Sequence, residues 1–264
     1  MPATLRSLWQ YRGFIAGSVK REFQMKYLNS LLGWLWTIIQ PLAMIVVYTV
    51  IFSQVMKARL AGVDNTYAYS IYLCAGVLTW TFFSEIVSRA QNLFIDNGNL
   101  LKKLSFPKLC LPVIMVLSAS LNFGIIFSLF LAFLVVTNQF PGVVMLAFFP
   151  VMIIQVLLAI GMGMTLGVLN VFFRDVGQMF NVVLQFWFWL TPVIYPASIL
   201  PPAIKDLLAW NPMAPIIWAF QEIMVYQKYP DWSTLIYPLV LALFFCVLGL
   251  RLFRKRSGEM VDEL

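Results

Sequence analysis

Glu85 and Arg89 are the only charged residues well inside the long apolar runs of this chain. A spacing of four puts them on one helix face. A carboxylate at such a place suggests a proton relay or a structural ion pair. With an arginine one turn away, the ion pair is the leading assignment. Little else here could make or break bonds. The 264 residues include no histidine, which removes the commonest general base and metal ligand. Cys74, Cys110 and Cys246 are far apart, form no CxxC pair and read as small buried hydrophobes. No G-x-x-x-x-G-K-[ST] loop is present, so this chain is not expected to bind ATP in the P-loop manner. No acidic cluster suits a metal. We therefore expect no catalytic residue, no metal and no cofactor in this chain. A membrane-embedded enzyme working at the outer face would have only Asp206, Glu222 and Asp231 to use.

The aromatic residues offer binding rather than catalysis. There are 23 Phe, 10 Tyr and 9 Trp. The run Phe186-Trp187-Phe188-Trp189 sets rings all round one helix, so some face the protein interior or a pore. Ring faces stack on sugar rings and would give a glycan a slippery path. Core packing and interfacial belts account for most of them. The pore candidates are Trp34, Trp36, Tyr48, Trp80, Trp187 and Tyr195.

These residues must be positioned by membrane helices. The chain is 61% hydrophobic and 11% charged, against about 25% charged in soluble domains. We read an all-α integral membrane protein with six spans: about 33–56, 69–92, 113–136, 143–172, 176–195 and 232–250. The first contains Pro41 and is expected to kink. The fourth is long for the ~20 residues a crossing needs, so it should tilt, break or project. Gly161, Gly163 and Gly167 include a GxxxG spacing suited to close helix packing. Residues 1–32 carry Leu5, Leu8, Trp9, Ala16 and Val19 at helical steps among Arg6, Arg12, Lys20 and Arg21. They read as a helix lying in the membrane interface. No cleaved signal peptide is expected.

Charge decides between six spans and seven, since 207–226 is apolar enough to tempt a further crossing. With six, fourteen Lys and Arg share the side of the termini: Arg6, Arg12, Lys20, Arg21, Lys26, Arg89, Lys102, Lys103, Lys108, Arg174, Arg251, Arg254, Lys255 and Arg256. Only Lys57, Arg59, Lys205 and Lys228 lie opposite. Positive charge stays inside, so both termini are expected in the cytoplasm. Residues 197–231 then become short re-entrant helices, which survive at depth when buried in protein or lining a water path. The net charge of +7 is explained the same way, without nucleic acid. The basic stretch 89–112 is the one substantial polar interruption on the cytoplasmic side. It holds no catalytic set, and we read it as a receiver of force from another protein.

Several stretches together carry a resemblance. Arg21-Glu-Phe-Gln-Met-Lys-Tyr-Leu-Asn-Ser-Leu-Leu-Gly-Trp-Leu-Trp-Thr-Ile-Ile-Gln-Pro41 resembles the opening of the ABC-2 type permeases that export polysaccharides. Ser-Phe-Pro-Lys at 105–108, Phe-Phe-Arg-Asp at 172–175, Thr-Pro-Val-Ile-Tyr at 191–195 and Asn211-Pro212 follow in the same order. Nearly the whole chain, 1–264, is similar to one such transmembrane domain, nearest to the permeases of O-antigen, capsule or teichoic acid exporters. The resemblance implies a homodimer in the cell inner membrane, working with two copies of a separate ATPase that binds ATP and Mg. It implies a lipid-linked polysaccharide as substrate, most simply O-antigen. It implies that the interface helix and a coupling helix within 93–108 dock on the ATPase, through Asp96, Asn99, Leu100, Lys102, Lys103, Phe106 and Pro107. It implies periplasmic gate helices in 197–231, a channel at the dimer centre, a cytoplasmic tail from 251 to 264, and Arg89 and Arg174 near a substrate mouth. The alternative is an ion-coupled carrier or lipid flippase working without an ATPase, for which Glu85 would be essential.

Overall fold

A computed structural model describes residues 9–25, 33–51, 60, 65, 67–103, 107–196, 200, 201 and 207–263, with side chains except at Trp34, Lys103, Val261 and Asp262. Among these residues every regular element is helical. Helix α1 is Arg12–Met25. A 3₁₀ turn at Gly33–Leu35 leads into α2, Trp36–Tyr48. Then come α3 (Ala68–Asp96), α4 (Gly98–Lys103) and α5 (Cys110–Val136). A second 3₁₀ turn, Gly142–Ala147, opens α6, Phe148–Phe172. The remainder is α7 (Asp175–Leu190), α8 (Met213–Gln221) with a π turn Glu222–Tyr226, α9 (Ile236–Arg256) and α10 (Glu259–Glu263).

Four helical stretches are long and apolar enough to cross a bilayer: Ala68–Asp96, Cys110–Val136, Gly142–Phe172 and Ile236–Arg256. The chain is thus a multi-pass membrane protein. The first expected span is helical over Trp36–Ile51, with Pro41 inside it; 52–56 lie outside the described residues. The fifth stops sooner than expected, at Leu190 instead of residue 195. Thr191 turns to φ −106°, ψ 135°, because the ring of Pro192 excludes the helical region for the residue before it. The long fourth segment does change character, from 3₁₀ to α at Phe148.

Helix α3 is the axis of the fold. Phe83, Ile86, Val87, Ala90 and Phe94 are all fully buried along it. Most of its surface is buried by the helices around it, and its one less buried face carries Thr81, Ser84, Glu85, Ser88 and Arg89. Helices α2, α5, α6, α7 and α8 all pack on it. Helix α6 holds α9 on its other side, and α1 lies across α5. Ile15 and Val19, one turn apart, are buried against Cys110 and Ile114. Of the face expected for this helix only Val19 is covered; Trp9 and Ala16 are exposed, and Leu5 and Leu8 lie outside the described residues. The packing stripe keeps Val19 and uses Ile15 in place of Ala16.

The tempting seventh span is a short helix. Met213–Tyr226 falls below the length of a crossing. It is buried instead, with Met213, Ala214, Ile216 and Ile217 fully covered. Of the rest of 197–231, residues 197–199 and 202–206 lie outside the described residues.

Candidate functional site

The charges of α3 are tied down by its neighbours. Arg89 is paired with Glu85 one turn back (3.4 Å) and also with Glu22 of α1. Ser118 Oγ of α5 donates to the second oxygen of Glu22 at 2.7 Å. Asn122 Nδ2 of α5 donates to Glu85 at 3.4 Å. The expected Glu85–Arg89 pair is present, and sequence spacing had no means of finding Glu22, which lies 67 residues away. Two carboxylates share one guanidinium, so the cluster carries one net negative charge. Arg89 is thereby committed to carboxylates. Arg174 is exposed in the turn before α7.

Two cavities meet at this cluster. One, of about 600 Å³, is lined by Trp36, Thr37, Gln40, Thr81, Glu85 and Asn122, among others. The other, of about 490 Å³, contains Glu22, Glu85, Arg89, Ser118 and Asn122. The first lies between α2, α3 and α5 and the second between α1, α3 and α5, with Glu85 and Asn122 common to both.

The six aromatic candidates divide. Trp36 is 47% exposed and lines the larger cavity. Tyr48 is half-buried, and its carbonyl accepts from Ser70 Oγ. Trp80 is buried, its ring 5.9 Å from that of Trp187 and 5.7 Å from that of Phe188. Trp187 points into this cluster and donates its Nε1–H to Asn211 Oδ1 at 2.8 Å. Tyr195 donates its hydroxyl to the Trp189 carbonyl at 2.7 Å. The Trp34 side chain lies outside the described residues. The rings of the 186–189 run that do face outward are Phe186 and Trp189, 66% and 59% exposed.

Asn211 explains why the Thr191-Pro192 and Asn211-Pro212 stretches matter together. Its Oδ1 also accepts the Met213 N–H (3.0 Å), and its Nδ2 donates to Thr191 Oγ1 (2.9 Å). One amide thus caps the start of α8 and fixes the end of α7. The hook between them is held on α3 by Tyr69, whose hydroxyl donates to the Ile194 carbonyl, and Tyr72, which donates to that of Tyr195, each at 3.0 Å. We expect Asn211→Ala to cost about 2–3 kcal/mol, since it strands two N–H donors. A thermal-unfolding midpoint in detergent equal to wild type would refute this. In the turn before α9, Asp231 accepts from the Ser233 N–H and hydroxyl, which hold its carboxyl below the usual pKa.

At the opposite end of the molecule α3 runs into α4. Asp96, Asn99 and Lys102 recur every three residues and are exposed. Leu100 is half-buried and Leu101 is in the core. Pro107 is half-buried, its carbonyl accepting the Cys110 N–H at 2.8 Å. Phe106 and the Lys103 side chain lie outside the described residues. Lys108 Nζ donates to the Ser257 carbonyl at 2.6 Å, joining this loop to the end of α9. Met260 of α10 is buried in the main core, and α10 packs on α6 and α4. The basic last turn of α9 therefore sits at the same end as α4.

Residues 15–225 match the ABC-2 type transporter family. The chain belongs to the ABC-2 type transporter permeases. It is 29% identical over 262 residues, 98% of both chains, to the O-antigen export system permease protein RfbA of Myxococcus xanthus. It is 26% identical to the RfbA protein of Klebsiella pneumoniae, with 92% of each chain covered. The polysialic acid transport protein KpsM of Escherichia coli is 19% identical, covering 92% of this chain and 93% of its own.

In this ABC-2 permease the feature missed by sequence reading is a polar strip. Gln178, Asn181 and Gln185 of α7 are all exposed. At 3.6 residues per turn they share one line with Trp189. The other exposed line of α7 is apolar: Met179, Val183, Phe186 and Leu190. Asn181 Oδ1 accepts from Gln91 Nε2 of α3 at 2.6 Å, which turns the polar line toward α3. The least buried line of α3 carries Thr81, Ser84 and Ser88. The legible signal was three amides at i, i+3 and i+7 in an otherwise apolar helix.

Proposed function

We propose that this chain is the permease subunit of an ATP-driven exporter of polysaccharide, with O-antigen-type glycan on a lipid carrier as its cargo. The observation that carries the reading is end-to-end similarity to two permeases named for O-antigen export. Two copies pair in the cell inner membrane, each with six spans and both termini in the cytoplasm. The exposed apolar line of α7, the exposed Leu42 and Val46 of α2 and Val50 just beyond it suit contact with lipid or with the second copy. Helix α4 is the coupling helix. A partner ATPase binds ATP and Mg, and its closure pushes on Asn99 and Lys102. The push passes along α3, on which α2, α5, α6, α7 and α8 pack. Residues 197–231 form the gate at the outer face, with α8 as its buried part.

Affinity-tagged chain should retain an ATPase subunit through mild detergent. Changing Lys102, Lys103 and Phe106 together to alanine should abolish export at least about a hundredfold, by breaking a small interface at its anchors. If no ATPase is retained, and export of surface glycan survives the triple change, both the partnership and the coupling role of α4 are wrong.

A further inference from the structure

We infer that the transported glycan is an uncharged one, handled by an amide-and-hydroxyl track formed by α7 and α3; this rests on the polysaccharide reading above. The first ground is charge. Apart from Glu85 and Arg89, no charged residue occurs in 33–56, 69–92, 113–136, 143–172, 176–195 or 232–250. The only cation among them, Arg89, is held by two carboxylates. A path for a polyanion needs cations or positive dipoles along it. On the other side of α3, the two cavities between it and α1, α2 and α5 meet at a cluster of net negative charge, which offers no cation either.

The second ground is the chemistry that is present. Gln178 and Gln185 stand exposed on α7, with Asn181 between them bonded to Gln91. Thr81, Ser84 and Ser88 add hydroxyls along the less buried face of α3, beside the neutralised Arg89 and Glu85. Lipid tails supply no hydrogen-bond partner, so such a row is not stable facing the bilayer. Each amide offers donors and an acceptor, which suits the mixed donor-acceptor character of sugar hydroxyls. Trp189, on the same line, adds a ring face. Neutral hydrogen bonds are exchangeable and individually weak. A chain can therefore step from one amide to the next without being trapped, as it would be at a fixed ion pair.

The test uses the whole complex: this permease with its co-purifying ATPase, supplied to cells lacking their own exporter. One strain makes a lipid-linked homopolymer of mannose, the other lipid-linked polysialic acid. Export of the mannan, with polysialic acid at least about tenfold lower, is the expected result, like-charge contact being the source of discrimination. Gln178→Leu with Gln185→Leu should cut mannan export roughly fivefold to tenfold, while ATPase retention is unchanged. Equal export of both polymers overturns the inference and leaves the exporter reading standing. Undiminished mannan export by the double variant overturns the track. Export of neither polymer, with the ATPase still bound, overturns the polysaccharide reading and the inference with it.

Discussion

Arg89→Met should lower the thermal midpoint of the detergent-solubilised protein by roughly 5–10 °C. The substitution keeps the length of the side chain and removes its charge, so Glu22 and Glu85 are left facing each other without a cation. Removing one partner of a fully buried ion pair costs about 3–5 kcal/mol. Here the Arg89 and Glu22 side chains are 31% and 40% exposed, and water screens part of the repulsion, so about 2–3 kcal/mol is the better figure. The discriminating variant is the triple change Arg89→Met, Glu22→Gln, Glu85→Gln. It removes all three charges and should recover most of the loss, because amides keep the bonds from Ser118 and Asn122. Arg89→Lys should sit between the two, since one ammonium serves two carboxylates less well than a guanidinium. A single variant as stable as wild type, or a triple variant no better than the single one, would show that the cluster is not structural. The ion-coupled alternative makes the opposite demand, that Glu85→Gln alone stop transport while leaving stability intact.

What the sequence made legible follows from how far apart the interacting residues lie. The all-helical fold, the four long apolar helices and the short helix at 213–226 were readable, because hydropathy and length are local properties. The Glu85–Arg89 pair was readable because it lies within one turn. Glu22 was not: its role exists only because Ile15 and Val19 seat α1 on Cys110 and Ile114. The same limit applies to the aromatics. Trp187 was a pore candidate by type; its indole N–H finds Asn211, and with the Asn181–Gln91 bond this sets the rotation of α7, leaving Trp189 and the amides of Gln178 and Gln185 exposed on a line beside α3. Ring type is in the sequence, whereas the rotation of a helix is set by its tertiary bonds. The early end of α7 was the reverse case, since Thr191 before Pro192 is a local steric rule that a span count by hydropathy alone ignores.

Gly163 and Gly167 should each be intolerant of alanine, and for different reasons. A Cβ on Gly163 would stand 2.4 Å from the Cβ of Ala90, and one on Gly167 would stand 2.5 Å from the Ala90 carbonyl oxygen. Ala90, itself fully buried, is thus seated between two glycines one turn apart on α6. That is the close approach which the GxxxG spacing anticipates. Either alanine pushes α3 away from α6 and costs about 1–3 kcal/mol by overpacking; valine should cost more and reduce folded yield. The second-site variant separates the two. Ala90→Gly removes the methyl and should restore the Gly163→Ala protein to near the stability of Ala90→Gly alone. It leaves the carbonyl in place, so it should do nothing for Gly167→Ala. Gly124 of α5, with nothing within 4 Å of its would-be Cβ, is the control: alanine there should be neutral or stabilise by up to about 1 kcal/mol through helix propensity. Equal rescue of both glycine variants, or of neither, would mean that α3 and α6 do not meet at Ala90. Because α3 also carries α4 at its end, the proposed coupling role of α4 makes a further demand: a Gly167→Ala protein that still folds should retain the ATPase and its activity yet export poorly, the displaced helix transmitting less of each stroke.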